Sequence, residues 1–351
     1  MNAPLHGIRV VECASQTCPL PLRLAMSFAA RMAAGLGAEV FKAGLRGDDP
    51  VRSIGPFVAG VGALSSFLDQ GKLPLAGFTG GDVCGALRGI APPPDIILCD
   101  DVAFEQLGEH GSCSVRTVFS AFPPGTANAD LVASEFTIMA LSGLLDLVGD
   151  PRREPLRMGG HQLAYSCGIA GYAGAVAALR THRKEGRAAE VVRVSLADTA
   201  VWLNWKSVAM ASWSPAGRSR LGRDAEWQVL RCADGWVALV FLEADWPVLR
   251  DFVNDARLSD ARFDDRAVRR KEARFLSDIV EQAFLRYTRR ELKDLSLARR
   301  LPLGPIWTPI ELETDTQNVA RGFLSRRASG AQESLLMPRL PILWNGEAFS
   351  T

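Results

Sequence analysis

The sequence contains few of the residues that usually mark metal, redox or disulfide sites. Four histidines lie far apart in a chain of 351 residues, and they do not have the spacing of metal ligands. The seven cysteines form no C-x-x-C pair, and an odd number in a long chain is not a disulfide framework. The sequence therefore predicts no metal site and a reduced, cytoplasmic environment.

A strong charge of one sign and long apolar runs are also absent. The formal net charge is +1 and the basic residues are spread out, which argues against binding to nucleic acid or to a membrane surface. No run of roughly 18 apolar residues occurs, and the N-terminus has no basic segment followed by an apolar one. We therefore expect a soluble protein that is not secreted.

Short apolar runs separated by an amphipathic segment predict a parallel α/β sheet. Residues 8–13 and 39–42 have the pattern of strands, and they flank a helical pattern over residues 22–36. This order implies a βαβ unit. Residues 95–100 and 115–120 are further compact apolar strands. The G-x-G-x-x-G turn of dinucleotide-binding sheets is missing, so nothing indicates such a cofactor.

The second half of the sequence predicts more helices and a change of fold. Residues 131–148 and 163–181 predict helices, the second rich in glycine and alanine and therefore suited to close packing. Residues 227–241 then predict a β-hairpin, and charged helices follow to about residue 300. We expect a large domain built from 1–214 and 301–351 around a smaller α+β domain, 215–300.

A series of short motifs runs along nearly the whole chain. They are Leu5–Glu12, Gly37–Lys42, Gly47–Arg52, Ala140–Pro151, His182–Arg187, Val192–Asp198 and Leu303–Gln317. No single motif is specific, but their order and spacing together resemble those of the class III (family III) CoA-transferases, the carnitine and bile-acid-inducible (CaiB/BaiF) type.

This resemblance implies a fold, a ligand and a partner. The fold is a Rossmann-like large domain with a parallel sheet plus a smaller α+β domain, with two subunits interlocked like links. The ligand is coenzyme A or an acyl-CoA thioester, with no covalently bound cofactor. In the family a carboxylate attacks the thioester and divides one difficult exchange into easier acyl transfers. Because the dimer shares its active sites between chains, one chain can complete the site of the other.

The carboxylate that the resemblance implies is missing. The aspartate of the family falls on Ala164, and a methyl group can neither attack a carbonyl nor accept a proton. No Asp or Glu occurs between Glu154 and Glu185 that could replace it by a shift of register. If the rest of the site is intact, Ala164→Asp is expected to give weak transferase activity.

Three other residues near this position are weaker candidates for catalysis. Glu135 matches the third position of the acid–base motif of the racemase branch, and it is either a buried base or an ordinary polar residue at a helix start. His161 is either a general acid–base group or a hydrogen-bonded loop residue. Cys167 is either a substitute nucleophile or a small buried apolar side chain.

Motif position also indicates candidate contacts to CoA. They are Ser15, Gln16, Thr17, Arg46 and Lys72. Arg46 and Lys72 are either contacts to CoA phosphates or surface charges. The arginine-rich segment Gly217–Arg223 is either a phosphate or carboxylate contact or a solvated basic loop.

Three functions remain open from the sequence. The first is the subunit that lacks the nucleophile in a heterodimeric CoA-transferase, where an Asp-bearing homologue is the partner. The second is a self-sufficient acyl-CoA transferase or isomerase with rearranged groups such as Glu135 or His161. The third is a non-enzymatic homodimer that binds acyl-CoA.

Overall fold

The computed structural model describes nine stretches of the chain, which fall into two compact units. The stretches are residues 3–44, 49–75, 87, 90–108, 113–129, 131–186, 189–214, 220–329 and 333–349. The first unit, here called the sheet unit, comprises residues 1–145, 157–215 and 320–351. The second, here called the hairpin unit, comprises residues 146–156 and 216–319.

The described strands form one large parallel sheet and three small antiparallel ones. They are β1 (Arg9–Cys13), β2 (Glu39–Lys42), β3 (Phe57–Val58), β4 (Val61–Gly62), β5 (Lys72–Pro74), β6 (Ile96–Asp100), β7 (Val115–Ser120), β8 (Glu190–Ser195), β9 (Gln228–Cys232), β10 (Gly235–Leu239), β11 (Leu303–Pro305), β12 (Leu324–Ser329) and β13 (Glu333–Pro338). The small sheets are β3–β4, β12–β13 and β11–β10–β9.

The large sheet has the strand order β5-β2-β1-β6-β7-β8, and every neighbouring pair is parallel. Numbered along the chain, this is the 3-2-1-4-5-6 order of Rossmann sheets, whose strand order reverses between β1 and β6. Those two strands are almost continuously buried, as parallel strands with covered faces usually are. The predicted α/β fold class with a parallel sheet is confirmed.

The described α-helices surround the sheet or belong to the hairpin unit. They are α1 (Leu20–Gly35), α2 (Ala63–Leu68), α3 (Asp101–Leu107), α4 (Glu135–Leu141), α5 (Gln162–Glu185), α6 (Leu196–Leu203), α7 (Trp205–Trp213), α8 (Trp246–Val253), α9 (Arg266–Lys271), α10 (Ala273–Phe284), α11 (Arg289–Arg299) and α12 (Thr316–Arg321). Among the described helices, none is long and apolar enough to cross a membrane.

The helix predicted over residues 131–148 is much shorter than expected. The side chain of Ser134 accepts the backbone N–H of Thr137 at 3.2 Å, so the helix begins only at Glu135. Gly143 has a φ of +71°, a left-handed conformation that ends the helix, and a short 3₁₀ turn follows over Leu144–Leu147. The cap therefore fixes Glu135 in the first turn of α4.

Helix α5 packs closely against α1 and against β7 because it has a glycine at each contact. A Cβ atom added at Gly168 would lie 2.5 Å from the carbonyl oxygen of Ala25, and one added at Gly171 would lie 2.4 Å from the ring of Phe119. Small side chains let two helix axes approach each other. The prediction of a tightly packed helix is therefore confirmed by this geometry.

We expect Gly168→Ala to lower the free energy of unfolding by about 1–3 kcal/mol, because the new methyl group meets a backbone atom that cannot rotate away. This loss should exceed the gain in helix propensity of about 1 kcal/mol. Urea denaturation measures the change. Gly304→Ala is the matched control, since an added Cβ there meets no atom within 4 Å. Equal stability of the two variants would contradict the close contact.

The hairpin unit has its own core. The predicted hairpin is present as β9 and β10, which pair antiparallel from Gly235↔Cys232 to Leu239↔Gln228. The third strand, β11, pairs with β10. The expected start of the smaller domain at residue 215 lies one residue from the observed start at Ala216. The expected return at residue 301 differs from the observed one at Ala320, because β11 adds to this sheet. Residues 146–156, expected in the large domain, also belong to the hairpin unit.

Candidate active site

The carboxylate of Glu135 binds the first turn of α5. Its Oε1 accepts the backbone N–H groups of Leu163 at 3.0 Å and of Ala164 at 3.1 Å. The first N–H groups of a helix have no partner within the helix, and the helix dipole favours a negative charge there. Glu135 therefore lies against Ala164, the residue at which the sequence resemblance predicts the nucleophile position.

His161 completes a pair with Glu135. Its Nδ1 lies 3.0 Å from Glu135 Oε2. An ionised carboxylate only accepts hydrogen bonds, so the imidazole carries a proton on Nδ1. The glutamate is almost buried, whereas the histidine side chain keeps 25% of its surface exposed. The structure thus brings both weak candidates, Glu135 and His161, together beside Ala164.

Ala164 itself is packed in an apolar cluster. It has no exposed surface, and it shares that cluster with the fully buried Leu24, Val51 and Leu68. Its neighbour Tyr165 stacks on Phe28 with the ring centroids 4.7 Å apart. The environment of position 164 is therefore adapted to a methyl group and offers a carboxylate no counter-charge from these residues.

Tyr165 also forms one wall of the site. Its ring lies edge-on to His161 at 6.2 Å between the centroids. Burial, together with the nearby charge of Glu135, raises the pKa of Tyr165, so the phenol is protonated at neutral pH. Tyr165 is consequently a neutral neighbour of the histidine.

Cys167 is a buried thiol and not a reactive one. It has no exposed surface, and burial raises the pKa of its thiol to about 12. The thiolate is the nucleophilic form of cysteine, and its fraction at neutral pH is then negligible. Of the two interpretations of Cys167, the geometry favours a small buried side chain.

The candidate loop Ser15–Thr17 follows β1 at the point where the strand order reverses. Ser15 donates its backbone N–H to Asp100 Oδ1 at 2.7 Å and its hydroxyl to Asp100 Oδ2 at 2.6 Å. Arg23 donates to the carbonyl oxygens of Ser15 and Cys18. Gln16 and Thr17 are exposed. Ligands of open α/β sheets bind at the carboxyl ends of strands beside such a reversal.

Asp100 and Arg23 were missed in the sequence, although Asp100 left a signal. It ends the apolar run of β6, and polar residues at the carboxyl end of a buried parallel strand are placed at the ligand-binding edge. Arg23 gave no comparable signal, because an arginine in the first turn of a helix usually faces solvent. Both residues hold the Ser15–Thr17 loop in shape.

Lys72 is buried in a network of charges. Its Nζ donates to Glu12 Oε2 at 2.6 Å and to the hydroxyl of Ser27 at 2.8 Å, and its side chain has no exposed surface. Lys42 lies in the same network, 2.6 Å from Asp49 and 2.7 Å from Asp69. An ammonium group with these partners is not presented to a phosphate, so we do not retain Lys72 as a CoA contact.

Only some of the other basic residues predicted as contacts lie within the described part of the chain. Arg46 lies outside the described residues, as do the first residues of Gly217–Arg223. Within the described part of that segment, Arg220 pairs with Asp146, and Arg223 donates to Asp278 at 2.8 Å. Arg223 also donates to Glu281 at 3.1 Å. These pairs favour neutralised arginines over a free anion-binding loop.

The structure defines a Rossmann-like α/β protein in which the carboxylate of Glu135 binds the start of α5. Residues 114–351, well over half of the chain, match the family model described as CoA-transferase family III. The chain therefore belongs to the family III CoA-transferases. The resemblance seen in the sequence motifs is confirmed.

Individual relatives agree with this family. The chain is 25% identical over 369 residues to the succinate–glutarate CoA-transferase of Agrobacterium fabrum, covering 97% of this chain and 89% of that protein. It is 26% identical over 261 residues to the subunit BbsE of succinyl-CoA:(R)-benzylsuccinate CoA-transferase from Thauera aromatica, covering 68% of this chain and 60% of that one.

Solved structures share the fold. A CaiB/BaiF family protein from Brucella suis has a TM-score of 0.81 at 22% identity, covering 100% of this chain and 95% of that chain. Rv3272 from Mycobacterium tuberculosis has a TM-score of 0.78 at 19% identity, covering 99% of this chain and 95% of that chain. At these identities the likeness concerns the fold alone.

Proposed function

We propose that this chain is the subunit lacking the nucleophile in a heterodimeric family III CoA-transferase. One observation carries the proposal. Position 164 is an alanine within an apolar cluster, and the carboxylate nearest to it, on Glu135, is held by two backbone N–H groups and His161. A carboxylate with its oxygens so engaged is a poor first carrier for an acyl group, because each hydrogen bond stabilises the negative charge that must attack.

The CoA-binding part of the proposal rests on the Ser15–Thr17 loop. Asp100 and Arg23 hold this loop at the reversal of strand order, with Gln16 and Thr17 exposed toward solvent. This is where an open α/β sheet receives its ligand. Arg46 remains a candidate phosphate contact by motif position alone.

An apolar surface supports the proposed partner. Helix α7 has no buried residue, and three tryptophans on α6 and α7, Trp202, Trp205 and Trp213, are 74%, 65% and 89% exposed. Large exposed apolar side chains close together in sequence are typical of a protein interface. The relative BbsE is itself a subunit. We propose that an Asp-bearing homologous subunit covers this surface in an interlocked dimer.

Co-expression tests the proposed function. We expect the purified chain alone to transfer no CoA between acyl donors and acids, and the complex with an Asp-bearing homologue to do so. The measurement is transfer of CoA from succinyl-CoA to glutarate, with acid-trapped products separated by chromatography. Transferase activity of the isolated homodimer would overturn the proposal. CoA binding without turnover in any mixture would instead favour the non-enzymatic homodimer.

A pair of surface variants controls this experiment. Trp205→Asp places a charge in the apolar surface of α6 and α7 and should abolish both co-purification and transfer. Phe57→Asp changes an aromatic residue of similar exposure, 54%, on the β3–β4 hairpin and should leave both intact. If both variants still form the complex, the assignment of the apolar surface of α6 and α7 as the interface is contradicted.

A further inference from the structure

We propose that the Glu135–His161 pair is a general base that hydrolyses acyl-CoA thioesters with water in this chain. The proposal uses the acyl-CoA binding of the proposed function, but it adds an activity that needs no partner and no nucleophilic aspartate. It begins from the orientation of the imidazole, which the hydrogen bonds around Glu135 determine.

Three hydrogen-bond donors contact the two carboxylate oxygens of Glu135. The backbone N–H groups of Leu163 and Ala164 both bind Oε1, at 3.0 and 3.1 Å, which leaves Oε2 for His161 Nδ1 at 3.0 Å. Since α5 fixes the first two donors, the carboxylate cannot rotate away from the third without losing them. The pair therefore holds His161 in the tautomer with the proton on Nδ1.

The second nitrogen of His161 is then a proton acceptor. Among the described residues none bonds to Nε2, and a quarter of the side chain is exposed, so water can reach it. A carboxylate that orients an imidazole through Nδ1 and leaves Nε2 as a base is a general solution for activating an O–H group. Glu135 acts here as a positioning residue, and His161 is the proposed catalytic residue.

The surroundings select water as the attacking group. Ala164 supplies no carboxylate, Cys167 is buried as a thiol, and Glu135 is engaged by its three donors. The titratable groups facing His161 are Glu135 from α4 and Tyr165 from α5, and burial raises the pKa of Tyr165 so that it stays neutral. Among the described residues His161 has no second base in contact with it, which disfavours a two-base isomerisation of the α-carbon.

The step balances with water alone. The water oxygen attacks the thioester carbonyl as Nε2 takes one water proton. The tetrahedral intermediate then breaks its C–S bond, and the imidazolium gives the proton to the leaving sulfur. The products are the carboxylic acid and free CoA thiol, with no change of oxidation state.

Release of free CoA thiol by the isolated full chain tests the proposed hydrolysis. With acetyl-CoA, glutaryl-CoA and benzoyl-CoA as probes, and no acceptor acid, we expect release with at least one probe. A positioned general base typically contributes at least about a hundredfold, so His161→Gln should lower kcat about a hundredfold with little change of KM. It should also remove the acid limb of the pH–rate profile. Added imidazole should partly rescue His161→Ala.

Glu135→Gln separates positioning from folding. Its amide oxygen can still accept the α5 N–H groups, but its NH₂ faces Nδ1 and favours the opposite tautomer, so kcat should fall while the melting temperature stays near that of the wild type. His6→Gln changes an exposed histidine outside the site and should have no effect. If Glu135→Gln unfolds, the His161 variants still decide, since His161 is the N-cap residue of α5 but its side chain makes no capping hydrogen bond.

The outcomes distinguish this inference from the proposed function. Bound CoA in calorimetry with no thiol release from any probe would overturn the hydrolysis and leave the subunit role standing. Absence of CoA binding would overturn both. A hydroxamate formed at Glu135 on trapping with hydroxylamine would overturn the direct attack of water, as would exchange of α-hydrogen for deuterium without thiol release.

Discussion

Lys72→Met is expected to lower the free energy of unfolding by about 3–5 kcal/mol, the loss typical when one partner of a buried ion pair is removed. Lys72 Nζ has no exposed surface and lies 2.6 Å from Glu12 Oε2. Without it, the carboxylate of Glu12 stays buried with only Lys42 nearby, at 3.5 Å. The methionine fills a similar volume, so the loss comes from charge and not from a cavity.

The pKa values of Glu12 and Lys72 reflect the opposing effects of burial and of the neighbouring charges. Burial by itself raises the pKa of Glu12, but the charges of Lys42 and Lys72 outweigh it and leave that pKa below its ordinary value. Burial lowers the pKa of Lys72 despite Glu12. Stability from Glu12 is therefore present above its ordinary pKa and is lost as the pH falls through its lowered value. In Lys72→Met this contribution should shrink, so the variant should be less sensitive to acid.

Urea denaturation at several pH values measures both effects. Arg257→Met is the control, because it breaks a pair with Asp255 whose side chains are 48% and 29% exposed, and such pairs are worth about 0–1 kcal/mol. The double variant Glu12→Met/Lys72→Met should recover much of the loss, since no unpaired carboxylate remains. A loss in Lys72→Met as small as that in Arg257→Met would show that water reaches the network.

Ala164→Asp is expected to destabilise the chain by about 2–4 kcal/mol and to give no transferase activity by itself. An uncompensated buried charge costs about 3–5 kcal/mol, and the helix N-terminus returns about 0.3–1 kcal/mol. Glu135 already holds the N–H groups of Leu163 and Ala164, so the new carboxylate also meets a like charge. The simple restoration expected from the sequence is thus opposed by the packing.

A double-mutant cycle tests whether the like charge of Glu135 contributes to this loss of stability. Combining Ala164→Asp with Glu135→Gln removes the like charge, so the two changes together should cost less than the sum of each alone, by about 0.5–3 kcal/mol. Ala175→Asp is the matched control: it is 1% exposed on the same helix, and the 1.5 Å rise per residue puts it about 16 Å further along. Glu135→Gln should not rescue it. A stable, active Ala164→Asp variant would contradict the buried environment.

Several strands could be predicted because parallel strands covered on both faces are short apolar runs, and β1, β6 and β7 have that pattern. β5, with the sequence Lys72–Pro74, has no such pattern and was not predicted. Helix α4 was overestimated because Gly143 lies within an otherwise continuous apolar periodicity. A left-handed glycine just after the last helical residues ends a helix, and apolar periodicity does not encode this signal.

The site was predictable as a set of residues but not as a geometry. Motif position located Ala164, while Glu135 and His161 lie 26 residues apart, and their hydrogen bond depends on how α4 meets α5. Lys72 had the correct residue type for a phosphate contact. Its side chain pairs with Glu12, 60 residues away on β1, although β2 lies between β1 and β5 in the sheet. Such side-chain pairs form only in the folded chain, and the local sequence carries no signal for them.

The two edge strands of the large sheet, unlike the tryptophan-rich helices, are poor sites for binding another molecule. On one side β5 has only three residues and ends in Pro74, which has no N–H to donate. On the other, β8 carries the charged side chains of Glu190 and Arg193. Short, proline-bearing or charged margins resist adding a foreign strand. Copies of this chain should therefore associate through helices and not grow into fibres by extending the sheet.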